Sequence, residues 1–428
     1  MKRQITQDLI AWKQSKNRKP LLLRGARQTG KTWILKEFGK SEYQETIYIN
    51  FEEFPQLQGI FYQDFDIARI ITAIEIHARK KVIADETLLI FDEIQMANKG
   101  ITSLKYFYEN APQYHIVAAG SLLGLFLHNQ TSFPVGKVEI MELAPMSFVE
   151  VLNAMGEERL VVQILHENWD ILVPFHDKLL GYLKQYMFVG GMPEVVLAYQ
   201  ENKDFELVRK IQKQIIMAYE ADFSKHAPKE VFPRIQMVWN SIPAQLAKEN
   251  KKFVFNILRE GARAKDYELA IQWLQDCGLI LKVNRIKKPE IPLKAYEESS
   301  IFKVFLVDVG LLGAMSMLDV SSIINNEILN EFKGAMAEQF VLQQLKTNKE
   351  LFVTYWTNER STAEVDFVVQ KNNEIIVIEV KSGENVRSKS FKFFYEQYQP
   401  NMALRMSGLP FKQQDWLTNI PLYGVNSL

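Results

Sequence analysis

Cysteine is all but missing from this chain: Cys277 is the single one in 428 residues. One thiol excludes an intrachain disulfide and a cysteine-rich zinc site, which leaves buried packing as its expected role. Charge of one sign is missing too. Lys+Arg and Asp+Glu stand at 51 each, so bulk charge announces neither a nucleic acid nor a membrane surface, although a local patch is still allowed. No run of about 18 uncharged apolar residues occurs, which argues against a membrane-spanning helix. The first residues, Met1-Lys2-Arg3-Gln4-Ile5, run into Asp8, Trp12 and Lys13 instead of an apolar segment. No secretory signal is read there, and the cytoplasm is the expected compartment. What is present is a globular composition, 47% hydrophobic and 24% charged, at a length that suggests two to four domains.

The most informative stretch is Arg24-Gly25-Ala26-Arg27-Gln28-Thr29-Gly30-Lys31-Thr32, which reads G-x-x-x-x-G-K-T. It follows the apolar run Pro20-Leu21-Leu22-Leu23 and precedes a helical pattern from Trp33 to Phe38 that is expected to stop at Gly39. Strand, glycine loop and helix is the order a phosphate-binding loop needs. Backbone N–H groups from Gly25, Gln28, Thr29 and Gly30 would close around the phosphates of ATP, and the helix N-terminus adds positive potential. Lys31 would reach the β and γ phosphates, and the Thr32 hydroxyl would ligand Mg²⁺.

A second apolar strand, Thr87 to Phe91, ends in Asp92-Glu93, a Walker B pattern. Asp92 is the expected Mg²⁺ carboxylate and Glu93 the residue that polarises the attacking water. Strands are also read at 46–51, at 114–119 and at 138–143. With helical segments between them, the five predict an α/β fold, a P-loop NTPase with a doubly wound parallel sheet whose strand order spacing does not reveal. Ser121, just past the fourth strand, has two readings, a γ-phosphate sensor or the N-cap of the next helix.

From Met146 to about Ala227 the pattern is helical, interrupted at Gly190-Gly191-Met192-Pro193, and is placed as a helical lid. His166, His176 and His226 fall here without metal-ligand spacing and read as ordinary core or surface histidines. Residues 228 to about 312 read as a winged helix-turn-helix with a β-wing around Lys287-Lys288-Pro289. Arg259, Arg263, Lys265, Lys282, Arg285, Lys287 and Lys288 make it locally basic. DNA is therefore a candidate partner, and a packing or protein-interaction module is the preferred alternative.

A helix starting near Phe332 is followed by strands at 352–357, 363–369 and 375–380, the last two joined by the turn Gln370-Lys371-Asn372-Asn373. Folding that hairpin brings Asp366 opposite Ile378 or Glu379, and Lys381 shares the face of Glu379. Glu338, on the preceding helix, is placed to join them. Such a set can bind a second Mg²⁺ or Mn²⁺ and activate water for phosphodiester attack, with Asp366, Glu379 and Lys381 as catalytic candidates and Glu338, Asp366 and Glu379 as metal ligands. An ion-paired sheet edge is the equal alternative.

Taken together, the residues resemble the bacterial and archaeal AAA-type ATPases with a C-terminal PD-(D/E)XK nuclease-like domain. The resemblance rests on residues 18–28, Phe91-Asp92-Glu93-Ile94-Gln95, Gly120-Ser121, residues 143–148, residues 190–195, Phe305 to Leu311, Ala363 to Phe367 and Ile378-Glu379-Val380-Lys381. It implies an ATPase core at 1–145, a lid at 146–227, a winged helix-like domain at 228–324 and a nuclease-like domain at 325–428. It implies too that Asp366, Glu379 and Lys381 match the nuclease core, with Glu338 as the helical acid. One departure is Lys137, where arginine is expected. The implied function is an ATPase whose nucleotide state controls the C-terminal nuclease-like or DNA-binding module; an oligomer is allowed, and the sequence places no arginine supplied by a neighbouring subunit. The alternatives are a nucleotide-gated protein whose inert C-terminal fold binds a protein partner, and a winged-helix transcription regulator.

Overall fold

The structure is a computed structural model describing residues 1–120, 133–248, 251–321, 330–358, 363–382 and 389–428. The chain divides into two compact units. One is Lys2–Ala144 with Asp276–Gly278; the other is Met1 with Pro145–Gln275 and Leu279–Leu428.

In the first unit the apolar runs are strands β1 (Leu21–Arg24), β2 (Glu45–Asn50), β3 (Thr87–Asp92), β4 (His115–Ala119) and β5 (Glu139–Glu142). They form a five-stranded sheet in the order β2-β3-β4-β1-β5, with every pairing parallel. Alternate side chains feed two cores. Leu22, Leu89 and Phe91 pack on one face, and Leu21, Leu23, Leu88 and Ile90 on the other. Both faces are apolar because helices cover both, which is the doubly wound arrangement expected. The order reverses direction beside β1, so the crevice at its C-terminal end opens where the glycine loop begins.

One expectation is corrected here. The helix after the loop runs Lys31–Glu42 and passes through Gly39. A Cβ at Gly39 would lie 2.4 Å from Thr46 Oγ1, so this glycine lets the helix approach β2 closely and does not stop it.

The second unit begins with helices, as the pattern over 146–227 predicts. Phe148–Ala154 opens with a capping box between Ser147 and Glu150, and His176–Val189, Pro193–Asn202 and Phe205–His226 follow. At the Gly190-Gly191 turn, Gly190 has φ +75°, and Gly191 N–H donates to Asp308 Oδ2 at 2.6 Å. The fully buried Asp308 also accepts from Leu311 N–H and Gln343 Nε2, both at 3.0 Å, which fixes the turn to two further segments.

The two strands read as a wing, β6 (Ile280–Ile286) and β7 (Glu297–Leu306), pair antiparallel with one another. The later strands are β8 (Leu351–Thr357), β9 (Glu364–Lys371), β10 (Glu374–Val380), β11 (Met402–Ser407), β12 (Lys412–Gln413) and β13 (Thr418–Pro421). Through Arg285↔Tyr355 and Ile286↔Trp356, β6 runs parallel to β8, so one sheet of eight strands results, in the order β12-β13-β11-β10-β9-β8-β6-β7. Ile286 and Trp356 sit in one apolar cluster with Val365 and Val377, and burying that shared face joins the β6–β7 pair to the C-terminal strands. At the β7 edge, the helix Asn330–Leu345 offers Gln339, whose amide accepts from Leu306 N–H at 2.9 Å and donates to Leu306 C=O at 2.7 Å. That side chain satisfies an edge backbone that would otherwise be buried unpaired.

Candidate nucleotide site and C-terminal carboxylate cluster

The nucleotide site is made by the turn out of β1. Gly25 has φ +153°, and a Cβ there would sit 2.3 Å from Leu143 O, so only glycine fits. Gln28 (φ +65°) and Gly30 (φ +89°) complete a loop that curls its N–H groups inward. Thr29 is fully buried and its hydroxyl donates to Ala26 O at 2.9 Å. Arg3, whose role sequence reading missed, clamps the loop by donating to Thr29 O at 3.1 Å and to Ala144 O at 2.7 Å.

Lys31 lies beneath the loop, donating to Gly25 O and Ala26 O, each at 2.9 Å. Burial pulls its pKa down to about 8, opposed by the charges of Glu93 and Asp92. The Thr32 hydroxyl donates to Asp92 Oδ2 at 2.7 Å, bringing the two expected Mg²⁺ ligands together from β3 and the loop helix. Tyr48 on β2 donates to the same oxygen at 2.9 Å; burial, then the Asp92 charge and this bond, raises the pKa of its phenol. Hydroxyl and carboxylate oxygens are hard donors, and Mg²⁺ bound beside phosphates needs no more than one or two of them, so these residues fit the ion.

Glu93 stands just past β3 at φ +48°, with Gln95 Nε2 donating to its Oε2. The other amide atom, Gln95 Oε1, is buried without a hydrogen-bond partner among the described residues. Neither Gln95 nor Tyr48 was singled out from sequence, although Gln95 stands in the quoted Walker B stretch. Ser121 lies outside the described residues. Lys137 is 3.0 Å from Glu109 and faces the Tyr108 ring, so its charge is spent on a neighbouring helix.

The C-terminal candidates do converge. Val380 N–H donates to Asp366 Oδ2 at 2.8 Å across the hairpin, and Lys381 Nζ lies 2.6 Å from Glu379 Oε1. Glu338 faces them from the helix Asn330–Leu345. Three residues that sequence reading missed complete the set. Lys251 pairs with Glu338 Oε1, while Lys303 pairs with Glu364 and lies 3.7 Å from Glu338 Oε2. Lys303, on β7, has no exposed surface. The available signal was a lysine inside the apolar run Phe302 to Leu306. Burial raises the Asp366 pKa well above the usual range, helped by the Glu338 and Glu379 charges. Burial works against ionised Glu338 as well, but Lys251 and Lys303 hold its pKa low. Among the described residues no three His, Cys, Asp or Glu side chains are grouped to hold a metal ion.

The basic residues of the middle segment are partly neutralised. Arg285 Nη2 is 2.6 Å from Glu298, Lys287 is 3.9 Å from it, and Lys282 lies over the Phe302 ring. His176 is bonded to Tyr423 and Gly408 O, and Cys277 is buried, both packing roles as expected. No described helix is long and apolar enough to cross a membrane.

Residues 17–152 match the AAA domain. That segment is similar to AAA domains, a family to which the use of ATP and Mg²⁺ belongs. Residues 180–322 and 333–423 match two families described as domains of unknown function, DUF8612 and DUF4143, and neither description names an activity. An uncharacterized protein of Methanocaldococcus jannaschii, MJ1544, is 22% identical over 387 residues, 86% of this chain and 76% of that protein. The Walker-type ATPase PABY2304 of Pyrococcus abyssi is similar at 16% identity and a TM-score of 0.44, over 73% of this chain and 94% of its own. The Orc1 protein of Aeropyrum pernix, solved in complex with DNA, is similar at 13% identity and a TM-score of 0.28, over 76% of this chain and 92% of its own. Scores this low do not establish a shared overall fold.

Proposed function

We propose that this protein is a Mg²⁺-dependent ATPase whose nucleotide state controls a C-terminal nuclease-like or DNA-binding module. The observation that carries the ATPase reading is the 2.7 Å contact between Thr32 and Asp92, with Lys31 beneath the loop and Glu93 one residue beyond. When bound, Mg²⁺ supplies charge neutralisation of the phosphate oxygens. Lys31 exchanges its two carbonyl partners for phosphate oxygens, and loop N–H groups hold the rest of the triphosphate. Glu93, steadied by Gln95, accepts a hydrogen bond from the attacking water and orients it. ATP turnover tests this on wild type, Lys31→Ala and Glu93→Gln. The expected result is turnover in wild type alone, and equal background rates in all three would remove the claim.

A second reading keeps the ATPase but makes the C-terminal fold inert, a nucleotide-gated surface for a protein partner. The lysine pairing of Glu338, Glu364 and Glu379 favours it. Cleavage of DNA with Mg²⁺ or Mn²⁺, present in wild type and lost in Asp366→Ala, would reject it in favour of the nuclease.

A further inference from the structure

The C-terminal carboxylates bring their own counter-charge. Lys303 reaches in from β7, where it is 0% exposed, and its ammonium contacts Glu364 and lies 3.7 Å from Glu338 Oε2 and 4.8 Å from the centre of the Tyr355 ring. Lys251 comes from outside the sheet and takes the other Glu338 oxygen, with both side chains at least nine-tenths buried. Lys381 takes Glu379. One oxygen of Asp366 is spent on the Val380 N–H. Among the described residues three lysines thus face four carboxylates, Glu338, Glu364, Asp366 and Glu379, leaving a single formal negative charge when all are ionised.

A divalent ion would turn that deficit into an excess of one positive charge beside the buried Glu338 and Lys303, and unbalanced buried charge is costly. Coordination raises a second difficulty. Mg²⁺ demands a near-octahedral shell of oxygens, and an ammonium group has hydrogens to give but no lone pair. Every lysine lodged among these carboxylates therefore removes ligands without replacing any. The residues at this site do not fit a divalent cation.

We infer that the buried ammonium of Lys303, backed by Lys251, occupies the role of the cation at this carboxylate cluster, and that the cluster takes no divalent metal of its own. The inference rests on the second reading above and adds to it a named internal cation. Its consequence is structural. Lys303 ties β7 to β9 through Glu364 and to the helix Asn330–Leu345 through Glu338.

Full-length, nucleotide-free protein tests this with Mn²⁺ as the probe, followed by electron paramagnetic resonance and by thermal unfolding. Wild type is expected to leave Mn²⁺ free at about 1 mM and to keep its Tm within about 1 °C. Removing the internal cation in Lys303→Gln is expected to open the cluster to the metal, so that Mn²⁺ raises the Tm of this variant by more than about 3 °C. Mn²⁺ bound by wild type and released in Asp366→Asn would overturn the inference. So would a folded Lys303→Gln that Mn²⁺ does not stabilise. If Lys303→Gln does not fold, the comparison of wild type with Asp366→Asn decides alone. Mn²⁺ binding without DNA cleavage would sink this inference while leaving the inert reading standing, whereas Asp366-dependent cleavage would sink both.

Discussion

Lys31 should make nucleotide binding consume a proton in alkaline solution. Burial holds its pKa at about 8, against an ordinary value of 10.5. At pH 9 a group with that pKa is charged in about one molecule in ten, whereas beside a triphosphate the charged form is favoured and the pKa returns towards the ordinary value or above. Binding at pH 9 should therefore take up about 0.9 proton, and at pH 7 about 0.1. Across the window from about 8 to 10.5 affinity should fall by up to about tenfold per pH unit, about 1.4 kcal/mol each. The stability contribution has the opposite slope. The folded pKa lies below the unfolded one, so the cost of burying the charge is present in full below pH 8 and is relieved as pH rises to 10.5. Calorimetric titration with a non-hydrolysable ATP analogue and Mg²⁺, in two buffers of different ionisation enthalpy, measures the uptake directly. Lys31→Arg, whose guanidinium stays charged, should lose the buffer dependence. Equal binding enthalpies in the two buffers at pH 9 for wild type would refute the reasoning.

Three other outcomes follow from contacts already described. Gly190→Ala places a Cβ 2.2 Å from Asp308 Oδ1 at φ +75°, and chemical denaturation should show a loss of about 2–4 kcal/mol. Gln95→Leu removes the donor to Glu93, so kcat for ATP should fall about tenfold with KM unchanged, because orientation of the water is affected and binding is not. Tyr48→Phe removes a hydrogen bond to Asp92, and the Mg²⁺ concentration needed for half-maximal turnover should rise about tenfold.

The nucleotide site was legible because its demands are local. A loop that wraps backbone around phosphate needs its glycines, lysine and threonine at fixed spacing, and Asp92-Glu93 must end a strand. The strand order was not legible, since β1, β3 and β4 are all short apolar runs and only packing between distant segments decides which lie side by side. Gly39 misled for a related reason: a helix-stopping glycine and a close-packing glycine are the same letter, and Thr46 distinguishes them only in space. Lys303 escaped notice because lysine is almost never fully buried, and the carboxylates that permit it come from residues 338 and 364. β6 and β7 read correctly as a pair of strands, but their neighbour β8 lies too far along the chain for spacing to reveal.

The membership of the eight-stranded sheet has a consequence for synthesis. Residues 2–144 leave the ribosome before any of that sheet exists, so the parallel sheet of the first unit has all of its strands available early. Arg285 must wait for Tyr355, about seventy residues later, before β6 gains its second neighbour. In that interval the hairpin of β6 and β7 carries an open edge able to pair with another nascent chain. A chain interrupted after residue 324 would make the interval permanent, and such fragments are expected to aggregate where the full-length chain stays monodisperse in size-exclusion chromatography.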